Sequence, residues 1–252
     1  MRNLITIFSF SLILLFASCE DKESSSKNSL KTPSGTEVSK AKTSKLDSLK
    51  AKYAKKEEEV QLETTETDNQ FPIPQEKLIP FLTQYGKENP ENLVRISTNF
   101  GDIEVMLYRD TPLHRANFIM LVKKGYFNST FFHRIAPGFV IQGGNSDNMA
   151  TPRKRSNIGD YLIPNEFDAG HKHTYGAFSA AKYSEQNVSK ASSPFEFFIV
   201  MDKNGTPHLN NDHTVFGRVT KGMDIAEKIA QVKTGQSEWP IDNVEMDVEI
   251  IN

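Results

Sequence analysis

Two stretches, residues 93–108 and 244–250, alternate apolar and polar side chains with a period of two, and this constrains the fold most. Val94 and Ile96, then Ile103, Val105 and Leu107, flank Asn99-Phe100-Gly101-Asp102. Alternation sends neighbours to opposite faces of a sheet, so the pattern predicts a β-hairpin with one buried face. It returns in Val244-Glu245-Met246-Asp247-Val248-Glu249-Ile250. Two helices interrupt the strands. Thr111 can cap the first, Pro112 suits its first position, Ala116, Ile119, Leu121 and Val122 give it an apolar face, and Gly125 ends it. The second is expected from about Met223 to Val232, with Ile225, Ala226 and Ile229 inward. Short apolar runs divided by Gly, Pro and Asn lie between them. The fold class expected is mainly β, a sheet-rich domain with two helices, and closure into a barrel removes exposed edges.

The first 70 residues have a different texture. Arg2 precedes an apolar run from Leu4 to Phe16, shorter than the roughly 20 residues that span a bilayer, and Ala17 and Ser18 lead into Cys19. Cys19 is the chain's one cysteine, which excludes an intramolecular disulfide and a Cys-based zinc site. The arrangement resembles a bacterial lipoprotein signal, with Phe16 where Leu is commoner. It implies a signal peptide over residues 1–18, lipidation of Cys19, and a domain held at a membrane of the cell envelope, in the periplasm or outside the cell. Residues 19–70 are rich in Lys, Glu, Ser and Thr and read as a disordered, solvated tether, although Leu46, Leu49, Tyr53 and Val60 have helical spacing. Residues 71–92 are expected to form a helical extension on the main domain, with Leu78, Ile79, Phe81 and Leu82 as its apolar face. The main domain is expected over residues 93–252.

The segment from Phe131 to Gly144 combines a Phe-Phe-His-Arg cluster, a Pro-Gly turn, Phe139-Val140-Ile141, then Gln142 and two glycines. It resembles the cyclophilin signature. Ser193-Pro194-Phe195-Glu196-Phe197-Phe198-Ile199 and His213-Thr214-Val215-Phe216-Gly217-Arg218-Val219 resemble further cyclophilin segments in the expected order, and the likeness runs from about Leu93 to Ile251. It implies a closed eight-stranded antiparallel β-barrel capped by two helices, with a groove for an X-Pro dipeptide. Arg134 corresponds to the catalytic arginine. Phe139, Val140, Phe198, Leu209 and His213 correspond to the proline pocket, with His208 at its rim. Gln142 corresponds to a contact with the substrate backbone, and Ala181 and Lys182 to backbone contacts with the residues before proline. Since Phe197 and Phe198 are neighbours on a strand, one of them belongs to the core, and the groove is assigned to Phe198.

The resemblance implies a peptidyl-prolyl cis-trans isomerase that assists the folding of exported proteins, its partners being X-Pro-containing polypeptides. A non-catalytic module that binds Pro-containing segments is the alternative. The barrier of an X-Pro amide is resonance, about 18–20 kcal/mol, lost as the bond twists. An arginine that hydrogen-bonds the proline nitrogen favours the twisted state, in which that nitrogen regains a lone pair, and an apolar pocket holds the ring. Bond rotation needs no cofactor. Two departures bear on this. His208 stands where many cyclophilins have tryptophan, which implies weak cyclosporin binding. Glu196 replaces a glutamine and is expected within reach of Arg134, able to pair with its guanidinium. His171 and His173 have a His-x-His spacing, but no acidic or thiol partner joins them at a ligand spacing, so no metal is expected. No Gly-x-Ser-x-Gly elbow appears. A net charge of −2 gives no basic surface for nucleic acid. A monomer is the working expectation.

Overall fold

The computed structural model describes residues 70–128, 130–183 and 188–251. The leader, Cys19 and the tether, with the helical spacing from Leu46 to Val60, lie outside the described residues. Strands β1 (Leu93–Thr98) and β2 (Gly101–Leu107) form the hairpin, in register from Leu93 opposite Met106 to Thr98 opposite Gly101. Val94, Ile96, Ile103, Val105 and Leu107 are all fully buried. At the turn, Thr98 Oγ1 donates to the Gly101 carbonyl (2.9 Å) and accepts from the Phe100 N–H (3.1 Å). Gly101 sits at φ 128, where a side chain is strained and its Cβ would lie 2.8 Å from Ile225 Cδ1.

The remaining strands are β3 (Thr130–Ala136), β4 (Val140–Asn145), β5 (Ala177–Ala180), β6 (Phe197–Val200), β7 (Val215–Lys221) and β8 (Glu245–Ile250). They close in the order β1-β2-β7-β5-β6-β4-β3-β8, every pairing antiparallel. The two stretches of strict alternation thus meet: β8 pairs with β1, Ile250 opposite Val94 and Val248 opposite Ile96, and that pairing helps complete the ring. Closure satisfies backbone groups that an open sheet would expose.

Inside, Phe118, Phe127, Phe178, Phe197 and Phe216 pack ring on ring with centroids 4.6–5.8 Å apart. Phe118 comes from helix α2 (Pro112–Lys123), in which every residue from His114 to Val122 is buried. A helix so enclosed lies between two partners. One is the barrel; the other is α1 (Leu78–Glu88). Leu78, Leu82 and Gly86 are spaced by four and buried, and a Cβ on Gly86 would stand 3.0 Å from Ala116 Cβ, so glycine permits the close approach. Arg115 donates to the carbonyls of Gly86 (2.7 Å), Asn89 (2.8 Å) and Glu91 (3.0 Å), tying the C-terminal end of α1 to α2. Pro80 is tolerated because it falls in the first turn of α1.

Three expectations need correction. Ile79, assigned to the apolar face of α1, is 51% exposed. Thr111 makes no side-chain cap on α2. The free N–H groups of Leu113 and His114 instead donate to the two carboxylate oxygens of Glu166, both at 3.0 Å, and a carboxylate there suits the positive end of the helix. Finally, the barrel carries three helices among the described residues: α2, α4 (Met223–Ile229) and α3 (Ala150–Ile158). The sequence of α3 offers no apolar face, and only Thr151 and Ile158 in it are buried.

Candidate active site

Alternation on β3 to β7 builds a second apolar surface on the side opposite the core. Phe197 points into the barrel with Ile135, Ile141, Ile199 and Phe216. Phe198 packs outside it with Ala136, Val140, Ala177, Ala181, Val200 and Val215, and Tyr108, Phe139 and Leu209 border this patch. The register explains the grouping, because Gln142 lies opposite Phe198, and Val140 opposite Val200. The patch therefore gathers Phe139 and Val140 from β4 and its turn, Phe198 from β6, and Leu209 from the 3-10 turn Pro207–Leu209. His213 joins it with its ring edge-on to Phe198 at 5.3 Å, and the His208 ring stacks on Phe139 at 5.6 Å.

Two histidines support this surface. His213 Nδ1 lies 3.1 Å from the Ala180 carbonyl, so that nitrogen carries the proton and donates. Burial lowers the pKa of its ring. Behind Phe198, the ring of His173 lies nearly parallel at 5.8 Å. His173 is 2% exposed, and burial brings its pKa down from 6.5 to about 4. Its Nδ1 meets Asn210 Oδ1 and its Nε2 meets Ser179 Oγ, both at 3.0 Å. Asn210 Oδ1 also accepts the His173 backbone N–H, so it is an acceptor and Nδ1 is the donor. His171, by contrast, stacks on Tyr108 at 4.0 Å and meets Asp110 at 2.9 Å. Among the described residues no cluster of three or more His, Cys, Asp or Glu side chains could hold a metal ion.

Polar groups line the other flank. Arg134, on β3, has its guanidinium carbon 5.9 Å from the Phe139 ring centre. Its Nε donates to Glu238 Oε2 at 2.7 Å. Glu238 belongs to the loop before β8, and its backbone carbonyl accepts from the Ile135 N–H (2.8 Å). Glu196 is not the partner of Arg134, contrary to the expectation from sequence. One of its oxygens accepts from Arg155 Nη2 (3.0 Å), and the other accepts from Gln142 Nε2 (3.0 Å) with His133 Nε2 at 3.6 Å. Burial alone would raise the Glu196 carboxyl, but His133 and Arg155 more than offset it and hold it below 4.5. At 3.0 Å against 3.6 Å, Arg155 is the closer of the two partners.

Ala181 and Lys182 differ from one another. The Ala181 N–H donates to the Glu196 carbonyl (3.0 Å), and its carbonyl accepts from Ser193 (2.8 Å). Its N–H and one lone pair of its carbonyl are thus engaged within the domain. Lys182 makes no backbone-to-backbone hydrogen bond among the described residues, and its ammonium pairs with Asp212 at 2.8 Å. Glu238 and Arg155 carried no signal in the sequence, because their partners are 104 and 41 residues away.

The match to known proteins covers this region. Residues 93–249 fit the family model described as cyclophilin type peptidyl-prolyl cis-trans isomerase/CLD. The chain belongs to the cyclophilin-type isomerases. Peptidyl-prolyl cis-trans isomerase A of Dickeya dadantii is 38% identical over 156 residues, covering 60% of this chain and 77% of its own. Peptidyl-prolyl cis-trans isomerase-like 1 of Gibberella zeae is 36% identical over 152 residues, 60% of this chain and 89% of its own. Among solved structures, a Cryptosporidium parvum cyclophilin type peptidyl-prolyl cis-trans isomerase, determined in the presence of the dipeptide Ala-Pro, is similar. It has a TM-score of 0.54 and 29% identity, and the match covers 64% of this chain and 99% of that one. This cyclophilin is thus a peptidyl-prolyl cis-trans isomerase.

Proposed function

We propose that Arg134 is the catalytic residue and that the proline ring seats on the outer patch of Phe139, Val140, Phe198, Leu209 and His213, with His208 at the rim. The observation that carries this reading is the guanidinium of Arg134 at the border of an apolar surface on the outside of the barrel. Glu238 engages Arg134 through Nε, which leaves the two terminal nitrogens to act on substrate. A prolyl nitrogen accepts a hydrogen bond from them only when the amide is twisted, so the contact strengthens along the reaction and lowers the barrier. Gln142 and Lys182 hold the chain on either side. Turnover near 10 per second against uncatalysed exchange in about 10–100 s asks for about 3–4 kcal/mol, within reach of one charge-assisted hydrogen bond and positioning.

The substrates we assign are exported polypeptides arriving unfolded with slow X-Pro bonds. The domain is lipid-anchored at Cys19 and faces the periplasm or the exterior. The lone cysteine after a short apolar run supports the anchor, and a tether of some fifty residues reaches roughly 5–6 Å times the square root of its length. Two measurements test the proposal. Titrating an Ala-Pro peptide into the labelled domain is expected to shift the resonances of Val140, Phe198, Leu209 and His213; shifts confined elsewhere refute the site. Cys19→Ser is expected to move the protein from the membrane fraction to the soluble fraction, and unchanged fractionation refutes the anchor.

A further inference from the structure

We infer that Arg155, on helix α3 outside the barrel, is a positioning residue of the isomerase site, acting through Glu196 on Gln142. This rests on the reading of the groove above. Glu196 is a carboxylate, an acceptor only, and its side chain is 11% exposed. Such a charge at the foot of the groove is tolerable only if a cation faces it; unpaired, it would take a proton or turn to another cation, and Arg134 is a cation of the same site. Arg155 supplies the charge. It is itself fixed on three sides: Nε donates to Tyr126 Oη (2.8 Å), Nη2 donates to the Gly144 carbonyl (3.1 Å), and its guanidinium carbon lies 5.2 Å from the Phe195 ring centre. Tyr126 Oη also donates to the Gly144 carbonyl (2.9 Å). Arg155 therefore ties α3 to the end of β4 two residues from Gln142.

The consequence falls on the amide of Gln142. An amide facing a glutamine can bond in either orientation, since each partner offers a donor and an acceptor. Facing an ionised Glu196, only Nε2 can point inward, as the 3.0 Å contact shows. The amide is locked, and its Oε1 is not spent on residue 196. The same pairing gives Arg134 to Glu238 rather than to Glu196. Helix α3, without an apolar face of its own, thereby sets the orientation of a substrate-binding side chain.

The pair predicts a pH signature. The titratable or charged groups facing Glu196 are His133 from β3, Arg155 from α3, and the phenols of Tyr126 and Tyr183. Without Arg155 the upward push of burial meets less opposition, so Glu196 takes a proton at higher pH, ceases to be acceptor-only, and releases the lock. The experiment is the pH profile of kcat/KM for an X-Pro peptide, followed by NMR exchange, in the full chain. Arg155→Gln is expected to move the acid limb upward by about one pH unit and, at neutral pH, where Glu196 stays ionised without its cation and turns toward Arg134, to lower kcat/KM about tenfold. Arg155→Gln with Glu196→Gln removes both charges. It is expected to return kcat/KM to within about threefold of the wild type and to abolish the shift. An unmoved acid limb in Arg155→Gln, or a double variant no better than the single, overturns the inference. Should Arg155→Gln not fold, Arg155→Lys and the double variant carry the test: Lys is expected to keep the wild-type limb, and a limb moved upward overturns the inference. Arg134→Ala run alongside separates the two claims, because an active Arg134→Ala refutes the groove reading, whereas an inactive one leaves that reading standing whatever Arg155 does.

Discussion

His173 makes the stability of this domain depend on pH in a window set by one buried ring. Its pKa is lowered from 6.5 to about 4, chiefly by burial at 2% exposure, with His213 and His208 pushing the same way and Asn210 and Asp212 opposing. Nδ1–H donates to Asn210 Oδ1, and Nε2 lies 3.0 Å from the Ser179 hydroxyl, which donates to the Thr214 carbonyl at 2.9 Å. Between pH 6.5 and 4 the unfolded chain binds a proton that the folded chain refuses. Stability from this group is therefore complete above pH 6.5, erodes as pH falls through the window, and is gone below about 4. At about 1.4 kcal/mol per pH unit the total is about 3 kcal/mol. The assay is urea unfolding of the wild type and His173→Gln at intervals from pH 7.5 to 4. The variant begins less stable, and the gap between the two curves is expected to close by about 3 kcal/mol on acidification. His213, whose ring centre is 6.4 Å away, titrates in both proteins. Parallel curves refute the reasoning.

Other substitutions probe other links. Gly144 sits at φ 96, and a Cβ there would stand 2.1 Å from the Phe195 carbonyl oxygen, so Gly144→Ala is expected to cost about 3 kcal/mol or more in chemical denaturation. Phe198→Ala opens a void beneath the proline seat; at 4% exposure a loss of about 3 kcal/mol is expected, with KM for an X-Pro peptide rising more than kcat falls. Because burial lowers the pKa of His213, its ring is uncharged at neutral pH, and binding of an X-Pro peptide measured by calorimetry is expected to hold through the ordinary histidine range and to weaken only at lower pH.

The barrel was legible wherever burial falls on one face. The β1–β2 hairpin and β8 follow from Val94, Ile96, Ile103, Val105, Leu107 and Val248, each of which is buried at its place in the alternation. Helix α2 was legible from Pro112 and its apolar residues, yet its cap was not, since Glu166 reaches it from 53 residues away. Helix α3 was invisible because Ala150–Ile158 has almost no apolar surface to repeat. The candidate groove could be listed from a family resemblance, but the partners of its charges could not. The resemblance put Glu196, in the place of a glutamine, within reach of Arg134. The fold gives it Arg155 instead, and gives Arg134 to Glu238. Such pairings depend on register and on where loops return, and no local sequence pattern records them.

The most direct test of the account is the rate at which the protein interconverts cis and trans forms of an X-Pro peptide, measured by NMR exchange for the wild type and for Arg134→Ala. Removing the guanidinium leaves the apolar patch of Phe139, Val140 and Phe198 in place. Peptide binding is therefore expected to persist within about tenfold while catalysed exchange falls by about a hundredfold or more, the weight of one charged contact made in the twisted state. Exchange in Arg134→Ala equal to that of the wild type, with binding intact, would contradict the assignment of Arg134 as the catalytic group.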